Sequence, residues 1–305
     1  MMRSQAKRAG WNPAGRALAY AAWAAVLFAS DLPDILWDFF SSPVPAFLPG
    51  LKLAVLGIFL ALCLAVKPLH RLWQLAVMLP LVYLSPRLSA WIGKSALWGT
   101  LFGAGQDSFV PGQLIIQLSE LAVMAAVVAI LWVLKREPGA FFLVKGQIDA
   151  PLEPVPWLGI RQGETWRQFG WIFVGFFGIG TLIFVGIAGS SLLGRLGESF
   201  LLLPWAVLFA AMNGLGEELT FRAPLLSTTH EVLGRGSALW MTTIYFGLAH
   251  FLHGDPSGLI GFVLTAFVAY VLGKSMLETR GLFWAWLIHM AADIPIFILY
   301  VFSAS

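Results

Sequence analysis

The sequence predicts an all-α protein, a polytopic transmembrane helical bundle of about nine spans (eight to nine) with a cytoplasmic N-terminus. Of its 305 residues, 59% are hydrophobic and only 11% are charged, whereas soluble domains are about 25% charged. So few polar residues cannot cover a folded core in water, and the bilayer is therefore the expected solvent. This composition excludes an ordinary soluble enzyme, a disordered chain and a nucleic-acid-binding protein. The single cysteine, Cys63, also excludes a disulfide framework.

The predicted spans are apolar stretches of about 20 residues, because a helix needs that length to cross the hydrocarbon core. They cover residues 14–32, 46–66, 72–86, 112–134, 168–190, 199–228, 236–253, 257–274 and 281–302. The third is short and contains Pro80, which leaves a bundle of eight spans as the alternative. Residues 88–106 carry several glycines and Lys94, so we expect an interfacial loop there.

The distribution of basic residues orients the bundle. With a cytoplasmic N-terminus, fourteen lysines and arginines fall on the cytoplasmic side, four fall on the outer side, and Arg222 lies in the membrane. This is the bias that the positive-inside rule describes. Residues 1–16 are basic but are not followed by a small-residue cleavage site, so we expect a retained cytoplasmic tail.

Composition divides the chain into three parts. Residues 1–137 are N-terminal accessory transmembrane helices, 138–167 are a cytoplasmic interfacial loop, and 168–305 are the transmembrane core that carries the motifs described below. The loop contains four prolines together with Trp157 and Trp166. Tryptophans anchor segments at the membrane interface, which is where we expect this loop to lie.

Ionisable residues within predicted spans are the candidates for function, because a charge at the bilayer centre costs about 2.5–3.5 kcal/mol on insertion scales. Glu218 and Arg222 are four residues apart, so they share a helix face and can pair. Glu217 lies about 140° round the helix from Arg222, which leaves it without that partner. An unpaired carboxylate in an apolar pocket can serve as a general base. A buried structural network of all three residues is the alternative.

The same four-residue spacing recurs in two later spans. Phe246 precedes His250 and His289 precedes Asp293. His250 could be a packed core residue, and Asp293 could orient His289 or be a ligand or donor in its own right. If the sixth and seventh spans are antiparallel neighbours, Glu217 and His250 lie roughly 18 and 21 Å from the turn between them. His289 enters from the same side, roughly 12 Å deep, so the sequence predicts one site within the membrane.

Glutamate and histidine at one depth suggest activation of a water molecule, and two hydrolytic mechanisms fit. In the first, Glu217 and His250 activate water without a metal. His289 and Asp293 would then donate hydrogen bonds to the developing oxyanion. In the second, zinc is held by residues of the set Glu217, His250, His289 and Asp293 and lowers the pKa of its bound water. Proton relay in a transporter is the competing interpretation.

Two further polar positions lie outside these motifs. Glu120 shares a face of the fourth span with Gln113 and Gln117. We expect it to make an interhelical hydrogen bond, with a place along a substrate path as the alternative. Asn213 precedes the glutamates by about one turn and could form a hydrogen bond near the site.

Three ordered motifs resemble those of the CPBP family, the CAAX-prenyl-protease and bacteriocin-processing membrane proteins, also called the Abi family. They are Glu217-Glu218-x-x-x-Arg222, Phe246-x-x-x-His250 and His289-x-x-x-Asp293. The resemblance covers about residues 199–300. It implies an intramembrane endopeptidase, with an all-α fold that opens towards the cytoplasmic side.

The resemblance also implies a role for each motif residue. Glu217 and His250 would activate the attacking water, and His289 with the residue at 293 would stabilise the oxyanion. The supporting residues would be Glu218, Arg222 and Phe246. The better-studied members of the family look glutamate-dependent, which implies that no cofactor is needed, with zinc as the alternative.

One position departs from the family pattern. Residue 293 is often asparagine in the family, but here it is Asp293. An ionised aspartate only accepts hydrogen bonds, whereas asparagine also donates them. The departure weakens the oxyanion-donor role of Asp293 and favours a role in orienting His289 or in binding a metal.

The expected partners follow from the same resemblance. They are a membrane-embedded or membrane-associated peptide or protein substrate and the lipid bilayer, with no nucleic acid. The expected location is a bacterial plasma membrane, with the active site accessible from the cytoplasm. The alternatives are a catalytically silent scaffold or immunity protein of the same fold, and a proton-coupled transporter. The sequence predicts neither the identity of the substrate nor the oligomeric state.

Overall fold

The computed structural model describes residues 13–41, 43–102, 108–188, 200–254 and 256–304. These residues are helical almost throughout, and no β-strand occurs among them, so the all-α prediction is confirmed. Residues 1–12 of the expected cytoplasmic tail lie outside the described ranges.

Twelve α-helices and one π-helical segment make up most of the described part of the chain. In chain order they are α1 (Pro13–Ala29), α2 (Leu32–Ser41), α3 (Leu48–Ala65), α4 (Trp73–Gly93), α5 (Ala96–Phe102), α6 (Phe109–Lys135), α7 (Trp166–Ala188), α8 (Leu203–Glu217), the π segment (Glu218–Arg222), α9 (Ala223–Leu233), α10 (Arg235–His253), α11 (Gly258–Thr279) and α12 (Phe283–Ala304).

Six described helices are long and apolar enough to cross a membrane, and the bent pair α1–α2 would make a seventh. The six segments are Leu48–Ala65, His70–Gly93, Phe109–Lys135, Trp166–Ile187, Gly258–Thr279 and Phe283–Val301. The predicted count of nine is not confirmed. Helices α8 and α9 are only 15 and 11 residues long, and α10 carries the polar residues of the second motif.

The region around the third predicted span differs from the expectation. Helix α4 continues through Pro80 to Gly93, and α5 occupies Ala96–Phe102. The prediction of an interfacial loop at 88–106 is therefore wrong for residues 88–93 and 96–102, which are helical. Backbone groups within a bilayer have no water to bind, and a helix satisfies them internally, which favours continued helix over a loop.

Helix packing brings the N-terminal and C-terminal parts together. In the C-terminal part, α12 packs against α7 and α8, and α10 packs against α11. In the N-terminal part, α4 packs against α6, and α6 also contacts α8 and the π segment. The first and third motifs therefore lie where α6, α8, the π segment and α12 meet, and the second motif lies on α10.

The segment between α6 and α7 is fixed to the connection between α11 and α12. The backbone N–H of Gln147 donates to the Thr279 carbonyl at 2.8 Å, and that of Leu282 donates to the Val144 carbonyl at 2.8 Å. Gly146 has a φ of +77°, and a Cβ there would lie 2.7 Å from the Cα of Gly281. Only glycine fits this position, because both the backbone conformation and the close approach exclude a side chain.

The close approach at Gly146 can be tested by substitution. We expect Gly146→Ala to lower the free energy of unfolding by roughly 2–5 kcal/mol, because it combines left-handed strain with a backbone clash. Gly159→Ala is the matched control, since Gly159 has a φ of +73° but no neighbour within 4 Å of a built Cβ. Thermal unfolding in detergent should show the larger loss for Gly146→Ala. Equal losses would mean that the two segments do not pack this closely.

Candidate active site

The first motif includes a break in helical geometry. Residues Glu218–Arg222 form a π segment between α8 and α9, in which the Ala223 N–H donates to the Glu218 carbonyl. Turns of this kind are rare and occur frequently at functional sites. Glu217 is the last residue of α8 and Glu218 is the first of the π segment, so the two carboxylates leave the helix in different directions.

Glu218 and Arg222 form a buried ion pair. The two side chains are 0% and 1% exposed, and Arg222 Nη1 donates to Glu218 Oε1. The guanidinium carbon of Arg222 lies 4.7 Å from the centre of the Phe246 ring. Phe246 therefore covers the charged pair and links the first motif to the second.

His289 lies between the carboxylates of two helices. Its Nδ1 is 2.7 Å from Glu218 Oε1, and its Nε2 is 3.6 Å from both Glu217 Oε2 and Asp293 Oδ2. Helices α8 and α12 can lie this close together because residue 214 is a glycine. A Cβ added to Gly214 would lie 3.4 Å from the Cβ of His289. The sequence offered Asp293 as one residue that could orient His289, and in the structure Glu218 also holds the ring through Nδ1.

Asn213 connects the glutamate motif to Asp293. Its Nδ2 donates to Asp293 Oδ2 at 2.9 Å and lies 3.5 Å from Glu217 Oε1. Asn213 is four residues before Glu217 and so lies on the same face of α8. This spacing is what allowed the sequence to predict a hydrogen bond near the site. Asp293 therefore accepts a hydrogen bond here, as expected for a carboxylate.

His250 joins the cluster through Phe246. Its Nδ1 lies 3.0 Å from the Phe246 carbonyl oxygen, and the two rings are 4.9 Å apart. Phe246 in turn meets the edge of His289 at a ring distance of 6.2 Å. No direct hydrogen bond or ion pair between His250 and Glu217 occurs in the part of the chain described. The structure thus brings the first and third motifs into direct contact, and the second reaches them through an aromatic ring.

The residues do not form a preassembled metal site. Within the described ranges, no three histidine, cysteine, aspartate or glutamate side chains are placed so that they could hold one ion. The zinc alternative drawn from Glu217, His250, His289 and Asp293 stays untested, and no step below uses a metal. Whether the protein needs one stays a prediction to be tested.

A cavity of about 540 Å³ adjoins Glu217. Its walls come from α4, α6 and residues 216–221, and Glu120 of α6 lies on one of them. The Glu217 side chain is 27% exposed, in contrast to its buried neighbour Glu218. The structure thus places Glu120 along a cavity, and no interhelical hydrogen bond to its side chain occurs among the described residues.

The contact between Asn213 and Asp293 gives a prediction. We expect Asn213→Ala to lower kcat/KM for the proposed peptide cleavage roughly 10- to 100-fold, because a buried carboxylate then loses its donor at a cost of about 1–3 kcal/mol. A double-mutant cycle with Asp293→Ala checks the cause. If the two residues act together, the double variant loses little more activity than Asp293→Ala alone. Fully additive losses would show that the contact is not used.

Comparisons with known proteins agree with the motifs. Searches of curated proteins and of solved structures found no match. Residues 199–295 match the family model described as Rce1-like, type II CAAX prenyl endopeptidase Rce1-like. The match spans all three motifs and about a third of the chain. The part of the chain that carries the motifs therefore matches the Rce1-like model, and its resemblance to the CPBP family is confirmed.

Proposed function

We propose that the protein is an intramembrane endopeptidase, which hydrolyses a peptide bond of a membrane-associated protein or peptide. The observation that carries this proposal is the contrast between two adjacent glutamates. Glu218 is buried and paired with Arg222 and His289, whereas Glu217 faces a cavity. A carboxylate that is accessible to water beside a fixed histidine is suited to general-base catalysis.

In the proposed mechanism, Glu217 takes a proton from a water molecule as the water oxygen attacks the scissile carbonyl carbon. His250 would help to position this water. The proton on Glu217 then passes to the leaving amide nitrogen as the carbon–nitrogen bond breaks. The products are a carboxylic acid and an amine, and the acid proton then passes to the amine to leave a carboxylate and an ammonium group, so atoms and charges balance without a cofactor.

His289 is the group best placed to stabilise the oxyanion. When both ring nitrogens carry a proton, Nδ1 donates to Glu218 and Nε2 remains available on the Glu217 side of the ring. A preorganised donor of this kind contributes about 2.7–4 kcal/mol to transition-state binding in other hydrolases. Asp293 accepts from Asn213 and lies against the same ring, so we assign it to positioning His289.

Peptide termini provide the test. Membranes from cells carrying the wild-type chain are compared with membranes from cells carrying Glu217→Ala at equal expression. We expect new N-termini that occur only with the wild type, and these would also identify the substrate. Matching profiles in cells shown to contain membrane proteins cleaved by the family would contradict the proposal.

Metal content gives a separate prediction. We expect the purified, active protein to contain well under one zinc ion per chain, because the proposed mechanism uses Glu217 as the base and no metal. Elemental analysis of detergent-purified protein measures this directly. One zinc per chain that is lost in His289→Ala would replace the metal-free mechanism with a metal-dependent one.

The six apolar helices and the Rce1-like match support an integral membrane protein with a peptide substrate. Access to the site from the cytoplasm of a bacterial cell is part of the proposal. It rests on the distribution of basic residues, which favours a cytoplasmic N-terminus.

A further inference from the structure

The cavity beside Glu217 is built by both parts of the chain. One wall comes from α4 and α6, which belong to the N-terminal helices, and the other comes from residues 216–221. An ideal Cβ on Gly216 would touch the side chain of Leu121 at 4.0 Å, so α6 lies directly against the backbone that carries Glu217. With a volume of about 540 Å³, the cavity falls within the size range of ligand sites, about 300–1,000 Å³.

Glu120 is the feature of this cavity that the catalytic mechanism leaves unused. It is half-buried on the cavity wall and follows directly on Ser119, which accepts a hydrogen bond from Trp98. No hydrogen bond or ion pair engages the Glu120 carboxylate among the residues that the structure describes. A carboxylate within a membrane helix is costly, and such residues almost always face a bundle interior or a water-filled cavity.

The charges around the cavity indicate what it binds. Glu120 and Glu217 place two carboxylates on its walls. The cation on the lining is Lys94, which is exposed where α4 ends, and no ion pair joins it to either glutamate among the described residues. A concave, mostly apolar site with carboxylates inside attracts a positively charged group.

We propose that this cavity holds the substrate beside the scissile bond, and that Glu120 selects a lysine or arginine side chain of the substrate there. The inference rests on the proposed function, because Glu217 is taken to mark the scissile bond. It makes the N-terminal helices part of the substrate-binding site. The apolar lining, which includes Ile116 and Phe221, would contact the neighbouring residues of the peptide.

The test uses three peptides that contain the bond identified by the comparison of N-termini. They differ only at one position beside that bond, which is lysine, glutamine or glutamate. If no cleaved bond is found, the position is scanned along one apolar transmembrane peptide. Binding is measured on the full chain in lipid nanodiscs, with Glu217→Gln as the background so that no peptide is consumed. We expect the lysine peptide to bind at least tenfold more tightly than the glutamine peptide. Adding Glu120→Gln should reduce this ratio below about threefold, and Glu120→Lys should favour the glutamate peptide.

Two control variants distinguish a change in the binding ratio from a folding defect. Glu231→Gln removes a carboxylate from α9 whose side chain is 66% exposed and paired with Lys135, so the binding ratio should stay unchanged. Glu120→Asp keeps the charge and should keep most of the preference for lysine. Unfolding temperatures of all variants are measured in the same nanodiscs, and Glu120→Ala replaces Glu120→Gln if the latter does not fold.

The outcomes distinguish this inference from the proposed function. Equal binding of the three peptides, or a lysine preference that survives Glu120→Gln, would overturn the inference even if the wild type cleaves peptides. A lysine preference that depends on Glu120, without cleavage by the wild type, would support the binding site and overturn the protease. Binding of none of the peptides would overturn the inference as well.

Discussion

Glu217→Gln is expected to reduce peptide cleavage about 10²- to 10⁴-fold, the range for loss of a general base. Glutamine keeps the size and shape of the side chain but cannot take the proton from water. The side chain is 27% exposed and lies outside the Glu218–Arg222 ion pair. We therefore expect the free energy of unfolding to change by less than about 1 kcal/mol.

The measurement is kcat/KM of the purified protein in lipid nanodiscs, together with its thermal unfolding. Glu231→Gln is the matched control, because it makes the same chemical change on the outside of α9 and should leave cleavage unchanged. If Glu217→Gln retained more than about a tenth of the activity, Glu217 would not be the base. An equal loss in both variants would point to a defect in preparation rather than in chemistry.

Glu218→Gln is expected to cause the largest loss of stability, about 3–5 kcal/mol, because it leaves a buried guanidinium without its counter-ion. Arg222 is 1% exposed at its side chain. Its Nε and Nη2 already have no hydrogen-bond partner among the described residues. The variant should also lose activity, since the Glu218 carboxylate holds Nδ1 of His289.

A second variant separates these two effects. Glu218→Gln/Arg222→Met removes both charges and replaces the cation by an apolar side chain, so it should recover part of the lost stability. Activity should stay low, because His289 still lacks its carboxylate. Thermal unfolding and cleavage rate check both points. If Glu218→Gln unfolds at the wild-type temperature, the pair is hydrated in the membrane protein.

Local spacing explains which contacts the sequence could predict. Glu218 and Arg222 are four residues apart, and the structure pairs them. The same spacing predicts that Glu217 points away from Arg222. In the structure the Glu217 side chain is 27% exposed, whereas the Glu218 side chain is buried. These predictions depend on one helix only, so the geometry of a single turn was enough.

Contacts between helices were harder to predict. The hydrogen bond from His289 to Glu218 joins residues 71 positions apart, and it depends on how closely Gly214 lets α8 approach α12. The hydropathy of a sequence does not indicate how closely two helices pack. For the same reason, the sequence identified Glu120 as an unusual residue but favoured a hydrogen bond between helices over a place along a substrate path.

The predicted count of nine spans is not confirmed, and the reason is different. The sixth predicted span is divided at the π segment into α8 and α9, of 15 and 11 residues, and the seventh carries the polar residues of the second motif in α10. Length and composition measure the cost of transfer into lipid. They do not account for polar side chains that face one another inside a bundle. A site of this kind therefore weakens the very signal by which its helices are recognised.

The π segment has a consequence for the partners of the helix that contains it. A π turn adds about one residue to an α-helical turn, which rotates everything after it by roughly 100°. Before it, Phe209 packs with Phe297 of α12, whereas after it Leu225 joins the cluster of α1, α3 and α4. The added residue thus changes which neighbours the helix meets, so that Leu225 packs against the N-terminal helices, and Glu217 lies at the point where this change begins.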